Sequence, residues 1–183
     1  MKRLWPWAVA ASVIAIAGHL ILVINTPWLV NAMWVAKLRA AGVAMNEMGH
    51  MKRPKIAGKD VVGYDNPDNL SSFLLFDVSK SPIRIHARVV REAAYWSVCF
   101  VDDKTDVFGL VRDSDISGDY VTVVLAKPSQ RVAAAQGEKV IYAPTNTGIV
   151  LFRVIMPDRT NIKAVAKLVA LNADASVEVI KAP

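Results

Sequence analysis

The chain has 183 residues, 54% of them hydrophobic, and a mean hydropathy of +0.32, which suits one domain plus an apolar segment. Its net charge of +6 sits wholly in residues 1–56, where Lys2, Arg3, Lys37, Arg39, Lys52, Arg53 and Lys55 face one acid, Glu47; the rest of the chain balances at zero. A nucleic-acid reader carries its basic excess on the folded domain, so this partition argues against nucleic acid and makes anionic lipid head groups the natural partner. The single cysteine, Cys99, excludes an intrachain disulfide and a cysteine-rich metal site.

From Leu4 to Ile24 the chain carries no Asp, Glu, Lys or Arg. About 20 residues cross the hydrocarbon core of a bilayer, so residues 1–30 read as a single-pass transmembrane anchor. Trp5 and Trp7 stand at one end and Trp28 and Trp34 at the other, as an aromatic belt requires. Pro6 falls in the first turn, where a missing N–H costs little. Asn25, Thr26 and Pro27 predict a break as the chain leaves the membrane. The competing reading is a cleaved signal peptide ending at Ala15-Ile16-Ala17, but the apolar run continues through His19-Leu20-Ile21-Leu22-Val23-Ile24. Lys2 and Arg3 favour a cytoplasmic N-terminus and Lys37 and Arg39 oppose it, so charge alone leaves the topology nearly a draw. His19 is an ionisable group inside the span, and hence a candidate contact for a partner in the membrane.

Residues 31–63 read as an amphipathic juxtamembrane helix and linker. Leu29, Met33, Ala36, Ala40, Val43 and Ala44 recur at helical spacing between Trp28 and Met48. Lys37, Arg39, Lys52 and Arg53 form a candidate membrane-surface patch, with Lys and Arg able to snorkel towards head groups. The segment either lies on the membrane or continues the anchor as a stalk. Met45, Met48, His50 and Met51 are soft ligands, but too few for a copper site, and they read as linker with no metal bound.

Residues 64–183 form the β domain. The hydrophobic period becomes two from Leu70 onward, and Ile83-Arg84-Ile85-His86-Ala87-Arg88-Val89 alternates without a fault. Further strands are predicted over residues 72–78, 95–101, 107–111, 120–125, 139–142 and 148–155, separated by turn-forming clusters such as Ser117-Gly118-Asp119 and Ala143-Pro144-Thr145-Asn146. A helix capped by Thr160 or Asn161 follows, with Ile162, Val165, Ala166, Val169 and Ala170 as its buried stripe, and then a last edge strand over residues 177–180. The expected fold is mainly β: an antiparallel sandwich with one C-terminal helix, preceded by the transmembrane helix and its amphipathic stalk.

Three ordered blocks carry a family resemblance. Leu74-Leu75-Phe76-Asp77-Val78-Ser79-Lys80-Ser81-Pro82, then Tyr95-Trp96-Ser97-Val98 with Asp102 and Thr105-Asp106-Val107-Phe108, then Ala143-Pro144-Thr145-Asn146-Thr147 with Arg153 resemble segments of the domain-of-unknown-function 1254 family. Asp106 stands where that family usually has Asn, and Ser81 where it often has Gly. The resemblance implies an immunoglobulin-like β-sandwich and a cell-envelope protein of the bacterial inner membrane whose soluble domain is periplasmic. It also implies a separate small membrane protein with a 1214-type domain as partner. It implies no activity and no cofactor.

Four residues form the sharpest candidate site for a ligand or anion. Asp102 and Asp106 belong to an acidic loop, Asn146 to a rigid Pro-Thr-Asn turn, and Arg153 interrupts an apolar strand. An ion pair of Arg153 with Asp102 or Asp106 is the structural alternative to an anion site built from Arg153 and the Asn146 turn. Asp113-Ser114-Asp115-Ile116-Ser117-Gly118 starts like a calcium-binding EF-hand loop, but its twelfth position is Val124 and not Glu. No catalytic fingerprint occurs, and a Ser-His-Asp triad would have to use His86. The leading expectation is therefore a non-enzymatic binding or assembly module for a membrane partner. The alternatives are a ligand-binding or hydrolytic domain using the Asp/Asn/Arg cluster, and a lipid-surface module.

Overall fold

The computed structural model describes residues 4–54 and 66–180. It opens with one uninterrupted helix, α1, Trp5–Ala40, 36 residues long and therefore about 54 Å from end to end. Pro27 lies inside it, so the predicted break at Asn25–Pro27 does not occur. Asn25 Nδ2 donates to the Ile21 carbonyl at 2.7 Å and Thr26 Oγ1 to the Leu22 carbonyl at 2.6 Å. These two bonds add side-chain donors to the turn from which Pro27 removes a backbone N–H.

The helix also ends earlier than the spacing up to Met48 predicts, and for an identifiable reason. Gly42 takes φ +90°, the left-handed conformation that a side chain resists. Its N–H donates to the Arg39 carbonyl, and the Val43 N–H donates to the Leu38 carbonyl. This pair of bonds with a Val43–Leu38 contact is a Schellman stop. The chain then enters the sheet. Met48–His50 forms β1, paired antiparallel with Leu74, Phe73 and Ser72. Residues read as linker thus belong to the β structure, because Met48 packs against the core and a neighbouring strand offers an unpaired edge.

The remaining strands fall close to their predicted positions: β2 Asn69–Asp77, β3 Ile83–Arg88, β4 Tyr95–Asp102, β5 Val107–Arg112, β6 Tyr120–Ala126, β7 Lys139–Tyr142, β8 Thr147–Ile155 and β9 Ala175–Val179. They form two sheets with orders β1-β2-β8-β4-β5 and β7-β6-β3-β9, antiparallel except for the β6–β7 pair. A single core joins them: Leu74, Phe76, Trp96, Phe100 and Phe152 from the first meet Ile83, Ile85, Val123 and Leu125 from the second. Gly148 at the start of β8 is required by close approach, since a Cβ there would strike the Val101 carbonyl oxygen and the Phe76 ring.

The second helix, α2, Ile162–Asn172, is capped by Asn161, whose Oδ1 accepts from the Ala164 N–H at 3.1 Å. Its buried face is Leu168 and Asn172, flanked by Val165 and Val169, while Ile162 is 81% exposed and Ala166 and Ala170 face solvent. The helical period was legible, but the phase of the stripe was not. Phase was set by Asn172, a polar residue that the core recruits.

Trp96 is 1% exposed at the centre of the shared core. Trp96→Ala is expected to cost about 3–5 kcal/mol of stability, read as a lower urea midpoint of the full chain.

Candidate functional site

The acidic loop between β4 and β5 is a self-contained turn. Asp102, 5% exposed, accepts from the backbone N–H groups of Lys104 at 2.8 Å and Asp106 at 2.9 Å through Oδ1. Thr105 takes φ +68° to close the turn. The neighbouring β7–β8 loop leans on it: Thr145 Oγ1 accepts from the Asp103 N–H at 3.4 Å and donates to the Thr147 carbonyl at 2.8 Å. Asn146 offers its backbone carbonyl to the Val78 N–H, and its side chain is exposed. Asp102, Asp106 and Asn146 therefore share one end of the five-stranded sheet.

Arg153 does not join them. Asp102 pairs with Gly148 on β8, and Arg153 lies five residues further along that strand, opposite Ser97. That separation is about 17 Å. Arg153 is exposed and makes no ion pair among the described residues. It belongs instead to the outer face of the sheet, whose pattern the register defines. Leu75, Ile149, Val101 and Val107 form one apolar row and Phe73, Leu151, Cys99 and Leu110 the next. Ser71, Arg153, Ser97 and Arg112 then form a polar row.

The last turns of α1 lie across this face. Leu38 and Trp34 pack with Leu75, Ile149, Phe73 and Leu151. Cover is incomplete towards β5, where Val107 is 61% and Leu110 47% exposed. Between helix and sheet lies a cleft of about 330 Å³, walled by Val30, Asn31, Trp34 and Leu38 on one side and by Val101, Val107, Ile149, Leu151 and Arg153 on the other, with Thr105 of the acidic loop at one end. Asn31 is only 7% exposed, and its Oδ1 has no hydrogen-bond partner among the described residues. Outside the cleft, Ser97 Oγ, on the strand facing Arg153, likewise has none among the described residues. This cleft is where apolar surface, a cation with no ion pair among the described residues and one unsatisfied amide oxygen coincide. Sequence reasoning found Arg153 but missed its setting, because the cleft depends on where a helix about 115 residues earlier in the chain comes to rest.

The other singled-out residues have clear places. His19 is exposed on α1 with no hydrogen-bond partner among the described residues. Lys37 and Arg39 occupy the last turn of α1, where cations complement the helix dipole. Lys52 and Arg53 follow β1, exposed, and Arg53 Nη1 donates to the Pro54 carbonyl; Lys2, Arg3 and Lys55 lie outside the described residues. The loop resembling a calcium site is instead organised by Arg91, whose guanidinium donates to the carbonyls of Asp113, Ile116 and Gly118. Among the described residues no group of three or more His, Cys, Asp or Glu is placed to hold a metal. Cys99 is buried, and burial pushes its thiol up.

One serine–histidine pair does exist, and it uses His50 rather than His86. His50 Nδ1 and Ser72 Oγ are 2.9 Å apart, and Asn172 Nδ2 donates to the same hydroxyl at 2.7 Å. Ser72 is 0% exposed, so no substrate reaches it; the trio ties β1 and β2 to α2. His86 stacks on Tyr120 at 4.9 Å on the outer face of the four-stranded sheet.

Two expectations follow from this geometry. Burial lowers the pKa of His50 below 6.5, against a raising bond to the Asn172 backbone. The unfolded chain then binds the proton more readily, so this contribution to stability is full above about pH 6.5 and is lost as pH falls through the folded-state value. Thermal melts should show a lower Tm at pH 5.5 than at pH 7.5, and His50→Gln should flatten that difference. Asp102→Ala removes the buried carboxylate that accepts two part-buried backbone hydrogen bonds and should cost about 1–3 kcal/mol, whereas Asp106→Ala, at an exposed position, should stay within about 0.5 kcal/mol; urea titration separates them.

Comparison with known proteins agrees with this picture. The fold is similar to the VPA0106 protein from Vibrio parahaemolyticus, with TM-score 0.61 and 12% identity over 84% of this chain and 36% of that one. It is also similar to an uncharacterised protein from Burkholderia cenocepacia, with TM-score 0.50 and 19% identity over 97% of this chain and 50% of that one. This chain thus spans half or less of the length of those structures. No curated protein matches the sequence. The family model described as "Protein of unknown function (DUF1254)" matches residues 45–173, from just before β1 to the end of α2, and the chain belongs to that family.

Proposed function

We propose that this protein is a single-pass, membrane-tethered module of the bacterial cell envelope that assembles with a separate membrane protein and carries out no reaction of its own. The observation that carries the reading is His19. It stands mid-way along a helix long and apolar enough to cross a membrane, exposed and without a hydrogen-bond partner among the described residues. An ionisable side chain in hydrocarbon is costly unless something pairs with it. Gly18 beside it has nothing within 4 Å of a Cβ position, so a second helix has room to approach closely. A small partner with a 1214-type domain suits this role, with the β domain on the periplasmic side of the inner membrane.

Two features of the β domain support a binding role. The edge strand β5 leaves Val107 and Leu110 exposed, a surface that invites cover. The antiparallel β3–β6 and β4–β8 pairs support an immunoglobulin-like reading, in which they stand for its B–E and C–F pairs. β2 and β9 occupy the positions of its last and first strands, so the immunoglobulin-like class remains our reading of the fold. Lys37, Arg39, Lys52 and Arg53 add a basic collar suited to anionic lipid.

The full chain, extracted from its native membranes in mild detergent, should co-purify with one stoichiometric membrane protein carrying a 1214-type domain. His19→Leu should weaken that association at least several-fold without lowering the Tm of the β domain. Purification of the wild-type chain alone, as a monomer, overturns the proposal.

A further inference from the structure

We propose that the cleft between α1 and the outer face of the five-stranded sheet binds a long-chain fatty acid drawn from the membrane, its alkyl chain along the apolar rows and its carboxylate on Arg153. This inference is independent of partner assembly through His19.

Three observations converge on that occupant. The walls contributed by Trp34, Leu38, Val101, Ile149 and Leu151 are apolar, so the body of the ligand is hydrocarbon. The volume, about 330 Å³, is at the low end of ligand sites; it suits one alkyl chain and is too small for a two-chain lipid or a peptide helix. Arg153 lines the same cleft as a cation with no ion-pair partner among the described residues. A guanidinium matches a carboxylate with two parallel hydrogen bonds.

Position supplies the source. Val30 and Asn31 follow Trp28, the aromatic residue at the end of the apolar run, by two and three residues, or about 3–5 Å of rise. The cleft therefore begins at the level where the helix leaves the hydrocarbon, and a chain passes from bilayer to cleft without crossing water. The acids of the β4–β5 loop stand about 17 Å from Arg153 along the strands, so their repulsion falls at the opposite end from the carboxylate.

The test uses the full chain in non-ionic detergent micelles and a photoreactive palmitate analogue. Saturable labelling should map to peptides carrying Val101 or residues 149–151. Arg153→Gln should weaken it about tenfold, and Arg153→Lys should recover part of the loss. Leu151→Trp, which fills the cleft, should abolish labelling while far-UV circular dichroism stays unchanged. A long-chain amine of equal length should compete at least tenfold less well than palmitate. Labelling confined to residues 5–28 would show contact with bulk micelle only and would overturn the proposal. So would equal labelling of Arg153→Gln, or equal competition by the amine.

Discussion

The seating of Leu38 against Leu75 and Ile149 governs much of this structure. It is a small contact, yet it fixes the end of a 36-residue helix against a sheet. Gly42 makes it possible by stopping the helix within a turn of Leu38 and sending the chain back through Val43 towards β1. Were the helix to run on to Met48, the sheet would lose β1, and His50 could not reach Ser72. The cleft, the exposed flank of β5 and the line from membrane to domain all inherit their geometry from this one packing contact.

The β domain was largely legible in the sequence because half-buried strands announce themselves by alternation. Ile83–Arg88 alternates buried and accessible positions as its residue types suggest, and Lys139–Tyr142 has the predicted bounds. Such patterns are local, set by which face of a strand meets the core. The juxtamembrane region was less legible for the same reason. Asn25, Thr26 and Pro27 are turn formers in water, but on an apolar helix their side chains bond carbonyls of the preceding turn. Gly42, the actual stop, is an isolated glycine in a stretch whose apolar spacing continues beyond it.

The candidate site divides along the same line. The sequence identified Asp102, Asp106, Asn146 and Arg153 as residues apart from the apolar pattern. Three of them share an end of the sheet, where Asp102 and the Thr145 hydroxyl stitch two loops together. Arg153 serves a different neighbourhood, because its position on β8 is fixed by register with Asp102 opposite Gly148. Of the residues that complete the Arg153 cleft, Trp34 reads in sequence as a member of the aromatic belt, and Asn31 and Leu38 stand outside the apolar stripe of the amphipathic helix. Only tertiary placement distinguishes them. The Ser72–His50–Asn172 trio was invisible for a related reason: its members come from β1, β2 and α2, 22 and 100 residues apart.

An unbroken α1 also behaves as a mechanical axle. Each residue of an α-helix advances about 1.5 Å and turns about 100°. One residue inserted between Trp28 and Trp34 would thus swing the β domain a quarter-turn or more about the helix axis, while four would raise it by roughly one turn and nearly restore its heading. The azimuth at which Arg153 and the β5 flank face their surroundings is therefore encoded in the count of residues between the aromatic belt and Leu38. Substitutions that preserve helix length leave that bearing intact, and single-residue indels do not.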